Sequence, residues 1–139
     1  MEFVKTVRTE NNKMQNLNLP KSIKMVITDF DGVVTDNCVY INEDFTMSRK
    51  LNFNDVMGFS LLRKSGYEIA IISGEKNSAI ETMAKKFQIK EIHQNIRIKI
   101  EVLKDIVERY NLSQEEYVYI GDDVNDIECL NYAKYKITV

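Results

Sequence analysis

The chain reads as an α/β domain built on a parallel sheet, and three features predict it. Short apolar runs, Met25-Val26-Ile27, Tyr67-Glu68-Ile69-Ala70-Ile71-Ile72 and Tyr117-Val118-Tyr119-Ile120, have the texture of strands buried on both faces. Between them lie stretches whose apolar residues recur at helical spacing. Each run then gives way to a turn with reactive side chains: Asp29-Phe30-Asp31-Gly32, Ser73-Gly74, and Gly121-Asp122-Asp123. In open α/β sheets ligands bind beyond the carboxyl ends of the strands, so these turns are where a site is expected.

The elements follow in order. Residues 1–20 are polar, with Asn11, Asn12, Asn16 and Asn18 ahead of the only proline, Pro20, and are expected to form a flexible extension without chemistry. The domain then occupies 21–139. After the first strand, Cys38-Val39-Tyr40-Ile41 and Met47 to Phe53 flank the turn-like Asn42-Glu43-Asp44, which predicts a β-hairpin that can cover a site. Val56, Phe59, Leu61 and Leu62 predict a helix ending near Gly66. Ile80, Met83, Ala84 and Phe87 make the apolar face of a second helix, and Ile100, Leu103, Val107 and Tyr110 that of a third. Ser113 to Glu116 has the form of a capping box, but a strand follows at once, so a single turn is expected there. A short helix carries Ile127 and Leu130, and Lys136 to Val139 begins a last strand.

Composition narrows the function classes. With 139 residues and 44% hydrophobic content, one domain with a real core is expected. A formal charge of -2 argues against a global nucleic-acid-binding face. Cys38 and Cys129 show no metal-ligand spacing and no disulfide framework, which fits a reducing compartment. No apolar run reaches the ~18 residues of a membrane span, and no signal-like segment opens the chain, so a cytoplasmic protein is the expectation.

The chemistry lies in the strand-end turns. Side chains alternate along an extended segment, so Asp29 and Asp31 can face one way while Phe30 enters the core. Gly32 lets bare backbone N–H groups approach an anion. The bland alternative is an Asp-Gly turn with solvated carboxylates. A second cluster, Asp122, Asp123 and Asp126, would repel the first in a shared cleft unless a hard cation joined them. Magnesium takes one or two carboxylates together with phosphate oxygens, so Asp29 and Asp122 can hold it beside a phosphoryl group. Ser73 can donate to a phosphate oxygen and Lys99 can neutralise one. Taken singly, Ser73 also reads as a turn residue and Lys99 as a solvated helix residue.

The order DxDG, Ser-Gly after a strand, a lysine, then GDDxxD resembles the haloacid dehalogenase superfamily of phosphohydrolases over roughly residues 23–139. That resemblance implies a Rossmann-like three-layer αβα sandwich with a central parallel sheet and a small hairpin flap. It implies Asp29 as the nucleophile of an aspartyl-phosphate, and Asp31 as the acid that protonates the leaving oxygen and then the base that activates water. Gly32, Ser73, Gly74 and Lys99 would bind the phosphoryl group. Asp29, the Asp31 carbonyl and Asp122 would hold Mg2+, with Asp123 and Asp126 behind them.

The run DGVVTD, the hairpin after it, and Phe53 with Asp55 resemble the small, cap-less group acting on phosphorylated 2-keto-3-deoxy sugar acids. Octulosonate 8-phosphate enzymes of that group usually carry arginine after Ser-Gly, where this chain has Glu75 and Lys76. Glu75 with Lys86 resembles the nine-carbon branch, favouring a 9-phosphate of sialic acid or its deaminated analogue, with octulosonate 8-phosphate next. The bland reading of this pair is a solvated helix start and face. Asn95 replaces a usual glycine, and the group's glycine-rich tail would lie beyond Val139. The group is tetrameric, so a homo-oligomer is expected, with no nucleic-acid or membrane partner. An assembly module in a cytidylyltransferase pathway is the alternative; a phosphomutase would need a cap that the sequence does not supply.

Overall fold

The computed structural model describes residues 5–8, 14–17 and 19–139. In the extension, β1 (Lys5–Arg8) pairs antiparallel with β2 (Met14–Leu17), placing Lys5 opposite Leu17. Asn11, Asn12 and Asn18 lie outside the described residues. The domain proper runs β3 (Met25–Thr28), β4 (Thr35–Ile41), β5 (Met47–Leu51), α1 (Phe53–Lys64), β6 (Glu68–Ile72), α2 (Ser78–Phe87), β7 (Glu91–His93), α3 (Lys99–Arg109), β8 (Tyr117–Gly121), a 3-10 turn (Val124–Asp126), α4 (Ile127–Tyr132) and β9 (Tyr135–Thr138).

Five strands form one parallel sheet in the order β7-β6-β3-β8-β9. The chain builds outward from β3 on one side, then crosses to build on the other. The switch point is therefore the gap between β3 and β8, where an open α/β sheet offers its crevice.

The period-two alternation of the strands feeds both helical layers. Met25, Ile27, Ala70, Ile72, Tyr117 and Tyr119 point to the layer of α3 and α4, where Leu103, Ile106 and Cys129 meet them. Ile69 and Ile71 point the other way, onto Phe59 of α1 and Ile80 and Met83 of α2. Phe30 and Val34, just past β3, complete that second layer, so the residue between the two aspartates is fully buried. The three-layer sandwich with a hairpin flap is the architecture the sequence implied. No helix among the described residues is long and apolar enough to cross a membrane.

Several boundaries differ from the sequence reading for local reasons. The hairpin begins at Thr35 rather than Cys38, because Thr35 pairs with Leu51 across an irregularity that the apolar pattern hides. Its second strand stops at Leu51: the Asn52 side chain accepts the Asn54 N–H at 2.9 Å, capping α1 so that Phe53 opens the helix. β6 starts at Glu68 and β9 at Tyr135, each one residue from the expected start. β7 carries no signal in the sequence because three residues are too few to display a period. Ser113 to Glu116 does form the single turn, with the Glu116 carboxylate accepting the Ser113 N–H.

The α2 cap ties this layer to the edge of the site. Asn77 accepts the Ile80 N–H at 3.0 Å, while its own N–H donates to the Gln94 side chain at 2.8 Å. Replacing Asn77 with Ala should cost about 1 kcal/mol and Asn77→Ser a few tenths, read as a shift of the urea midpoint at unchanged slope.

Candidate active site

The parallel sheet delivers three turns to one edge. Asp29 follows β3, Ser73 follows β6 and Asp122 follows β8. The Asp29 N–H donates to the Ile120 carbonyl at 2.9 Å, extending the β3–β8 ladder by one rung, and the Ser73 N–H does the same to His93 at 2.8 Å. These residues are thus fixed by strand geometry rather than by loop packing.

Lys99, the first residue of α3, reaches this edge with its side chain fully buried. Its Nζ lies 3.0 Å from Asp29 Oδ1 and 2.9 Å from Asp126 Oδ1. Asp29 Oδ1 also accepts the Phe30 N–H at 2.7 Å, so Oδ2 is the oxygen outside these contacts. Burial, and secondarily the charge of Asp126, pushes Asp29 up to about 7, against the opposing pull of Lys99.

Asp126 is wholly buried and committed on both oxygens. Oδ1 accepts Lys99 and the Tyr119 hydroxyl, the latter at 2.6 Å, and Oδ2 accepts the Asp122 and Asp123 N–H groups at 3.3 and 3.4 Å. Tyr119, a strand residue with no special sequence signal, is thereby part of the site's support. Its phenol is pushed well up by burial and by this carboxylate. Asp123 is exposed and accepts the Val124 N–H at 2.6 Å, holding the 3-10 turn.

Asp29, Asp122 and Asp126 offer carboxylate oxygens within 4.8 Å of one another. Asp122 Oδ1 is buried with no hydrogen-bond partner among the described residues, and burial followed by the charges of Asp126 and Asp123 raises the pKa of Asp122. This donor set fits a hard divalent cation: oxygen-only, anionic, and with an oxygen that no described residue satisfies. Gly32 is what allows it. Its φ is +85°, and a Cβ there would lie 1.8 Å from Asp122 Oδ2. Its N–H is not bare but donates to Thr35 Oγ1 at 3.2 Å.

Asp31 has a different environment. Oδ1 accepts Arg49 Nε at 2.9 Å and the Thr35 hydroxyl at 3.3 Å, while Oδ2 is buried with no hydrogen-bond partner among the described residues. Arg49 sits mid-strand in β5, on the inner side of the hairpin, and the sequence reading does not single it out; the inward positions of that strand are the available signal.

The remaining sequence candidates are placed less centrally. Ser73 is buried, its Oγ accepting the Glu75 N–H at 3.2 Å, and Gly74 lies against the Asn125 side chain. Glu75 is exposed beside them. Lys86 is in the last turn of α2, with its Nζ 5.5 Å from the Phe87 ring. Glu75 and Lys86 therefore sit at opposite ends of a helix about 15 Å long, and one chain does not bring them together.

Comparison with known proteins identifies the family and the fold. Residues 35–139 match the haloacid dehalogenase-like hydrolase family. The 3-deoxy-D-manno-octulosonate 8-phosphate phosphatase of Escherichia coli is 28% identical over 106 residues, 76% of this chain and 56% of the relative. The chain thus spans a little over half the length of such curated relatives. The structure of the Moraxella catarrhalis phosphatase of that name, in complex with magnesium, phosphate and the sugar acid, superposes with a TM-score of 0.80 at 28% identity, covering 85% of this chain and 68% of that one. The Yersinia pestis structure of the same name shares the fold, with a TM-score of 0.82 at 22% identity over 98% of this chain and 75% of that one.

The site's packing and its charge each set a measurable outcome. Gly32→Ala should lower divalent-cation affinity by at least about tenfold and destabilise the protein by roughly 1–3 kcal/mol, because the added methyl displaces Asp122 in a backbone conformation that disfavours side chains; calorimetric titration and denaturation read the two effects. Asp29 binds its proton more tightly folded than unfolded, so its contribution to stability is full below the unfolded pKa near 3.8 and is lost as pH rises through about 7. Without metal, Asp29→Asn should therefore stabilise the protein by roughly 1–3 kcal/mol more at pH 8 than at pH 5, measured by denaturant unfolding in chelator.

Proposed function

The chain belongs to the haloacid dehalogenase-like hydrolases, and from that membership we propose that it is a magnesium-dependent phosphatase of a phosphorylated 2-keto-3-deoxy sugar acid. The observation that carries this reading is the convergence of Asp29, Lys99, Asp122 and Asp126 at the switch point of the sheet, with Ser73 on the neighbouring strand end. Magnesium held by Asp29, Asp122 and the Asp31 carbonyl would supply charge compensation to the phosphoryl oxygens.

Asp29 Oδ2 attacks phosphorus, and the bond to the sugar oxygen breaks as Asp31 gives that oxygen a proton. Asp31, now a carboxylate, takes a proton from water as the water attacks the aspartyl-phosphate and the Asp29–phosphorus bond breaks. Ser73 donates to a phosphoryl oxygen, and Lys99 offsets charge on the transferring group while holding Asp29 Oδ1. Asp126 and Tyr119 keep the Lys99 ammonium in place.

Octulosonate 8-phosphate becomes the preferred substrate within this class, ahead of the 9-phosphates. The names of the relatives support it. Glu75 remains a contact for sugar hydroxyls, whereas Lys86 enters only if another copy presents it. We also propose self-association, because Tyr40, Ile41 and Phe45 of the flap are 58%, 73% and 89% exposed, more apolar surface than a hairpin tip usually leaves to water.

A phosphate-release screen with magnesium across sugar-acid 8- and 9-phosphates should show highest turnover on the octulosonate ester. Asp29→Asn should lower phosphate release by at least about a thousandfold, since it removes the nucleophile. Asp31→Asn should slow turnover by about 10²-fold or more while magnesium affinity stays within about threefold. Absence of turnover on every ester would favour the assembly-module reading instead.

A further inference from the structure

Asp31 has a task in this reaction, and a proton donor must be aimed. It stands on a turn, not in the ladder, and its side chain retains 21% of its surface, against 7% for Asp29. A carboxyl with that freedom has several rotamers. Its partner is Arg49, whose side chain is only 8% exposed although it belongs to a hairpin with exposed flanks. Ser48 and Lys50 face solvent on the same strand, while Arg49 and Leu51 face inward, Leu51 onto the core of the α1 and α2 layer.

We propose that Arg49 is a positioning residue for the phosphatase reaction: by holding Asp31 Oδ1 it leaves Oδ2 as the oxygen that carries the proton to and from the reacting groups. The proposal rests on the phosphatase reading. Three observations carry it. The 2.9 Å contact is a charge-assisted hydrogen bond from Nε of a nearly buried guanidinium, so the donor is held by packing rather than swinging in solvent. Thr35, the first residue of the flap, supports the same oxygen at 3.3 Å, so both strands of the hairpin converge on Oδ1. Oδ2 is buried and receives no hydrogen bond from the described residues, a costly arrangement for an oxygen without a reacting partner. The flap is then not only a cover, since seating it and aiming the acid are one event.

The decisive measurement separates acid catalysis from simple folding support. Expulsion of a sugar alkoxide needs the Asp31 proton, whereas expulsion of p-nitrophenolate, a stable anion, does not. Single-turnover release of the leaving group with saturating ester and magnesium isolates the first step. Arg49→Ala should slow release from octulosonate 8-phosphate by about 30-fold and from p-nitrophenyl phosphate by no more than about threefold, and Arg49→Lys should restore part of the difference. In Asp31→Asn, Arg49→Ala should add less than about twofold, as coupled residues do. Equal losses on the two esters, or a full extra loss on the Asp31→Asn background, would overturn the proposal.

An arm without turnover keeps the two readings apart. Hydrogen exchange of the amides in β4 and β5 should quicken about tenfold in Arg49→Ala and in Asp31→Asn, and no further in the double variant. Unchanged flap exchange in both single variants overturns the Arg49 assignment even if the enzyme turns over. Wild-type protein inert toward every ester, with the exchange coupling intact, overturns the phosphatase reading and leaves Arg49 a structural clamp, which also removes its proposed catalytic task.

Discussion

The position of one ammonium group organises this molecule. Lys99 is drawn fully out of water at the head of α3 and placed between Asp29 and Asp126. Desolvating a lysine is expensive, and two close carboxylates with further donors on one of them are what make it tolerable. The contact fastens three separate pieces of chain: the end of β3, the start of α3 and the turn after β8. It also explains why Asp126 must be buried, why Tyr119 donates from beneath it, and why Gly121 has no side chain, since a Cβ there would fall 2.6 Å from the Asp126 Cβ.

That arrangement leaves an electrostatic remainder. Asp29, Asp31, Asp122 and Asp126 face Lys99 and Arg49 as the cations in direct contact with them. Two negative charges are uncompensated if all four carboxylates ionise, and burial answers by raising the pKa of Asp29 and of Asp122. A divalent cation answers the same problem without protons. Under the proposed magnesium-dependent reading, cation binding near neutral pH would be coupled to proton release.

Much of this is legible in the sequence because the fold translates pattern directly into position. Apolar runs of three or four residues bounded by turns suit strands buried on both faces, and a parallel sheet sends all their ends to one edge. Asp29, Ser73 and Asp122 therefore group together from their places along the chain alone. Lys99 is harder, because a lysine opening a helix looks the same whether it is solvated or buried; only the sheet's geometry turns it inward. Tyr119 and Arg49 are illegible for a related reason. Each lies within a strand whose alternation tells which face a residue takes but not which polar atom it meets. Glu75 and Lys86 stand apart from this logic: their pairing rests on a family resemblance, and the fold puts them at the two ends of α2.

The two aspartates one residue apart differ through what holds them, not through what they are. Asp29 is fixed by the rigid layers, with a ladder hydrogen bond to β8 and a buried ammonium on one oxygen. That is the environment of a group that must present one oxygen in one place. Asp31 is held by the flap instead, through Arg49 and Thr35, and keeps more contact with solvent. In the proposed reaction Asp31 takes a proton from water and gives one to the leaving oxygen, and Oδ2, which no described residue engages, is the oxygen left for that exchange. In the proposed reaction, environment would divide labour between these chemically identical side chains, as it does for paired carboxylates elsewhere. Here the dividing line is structural: the sheet holds one aspartate and the hairpin holds the other, so any motion of the flap changes Asp31 while leaving Asp29 where the strands put it.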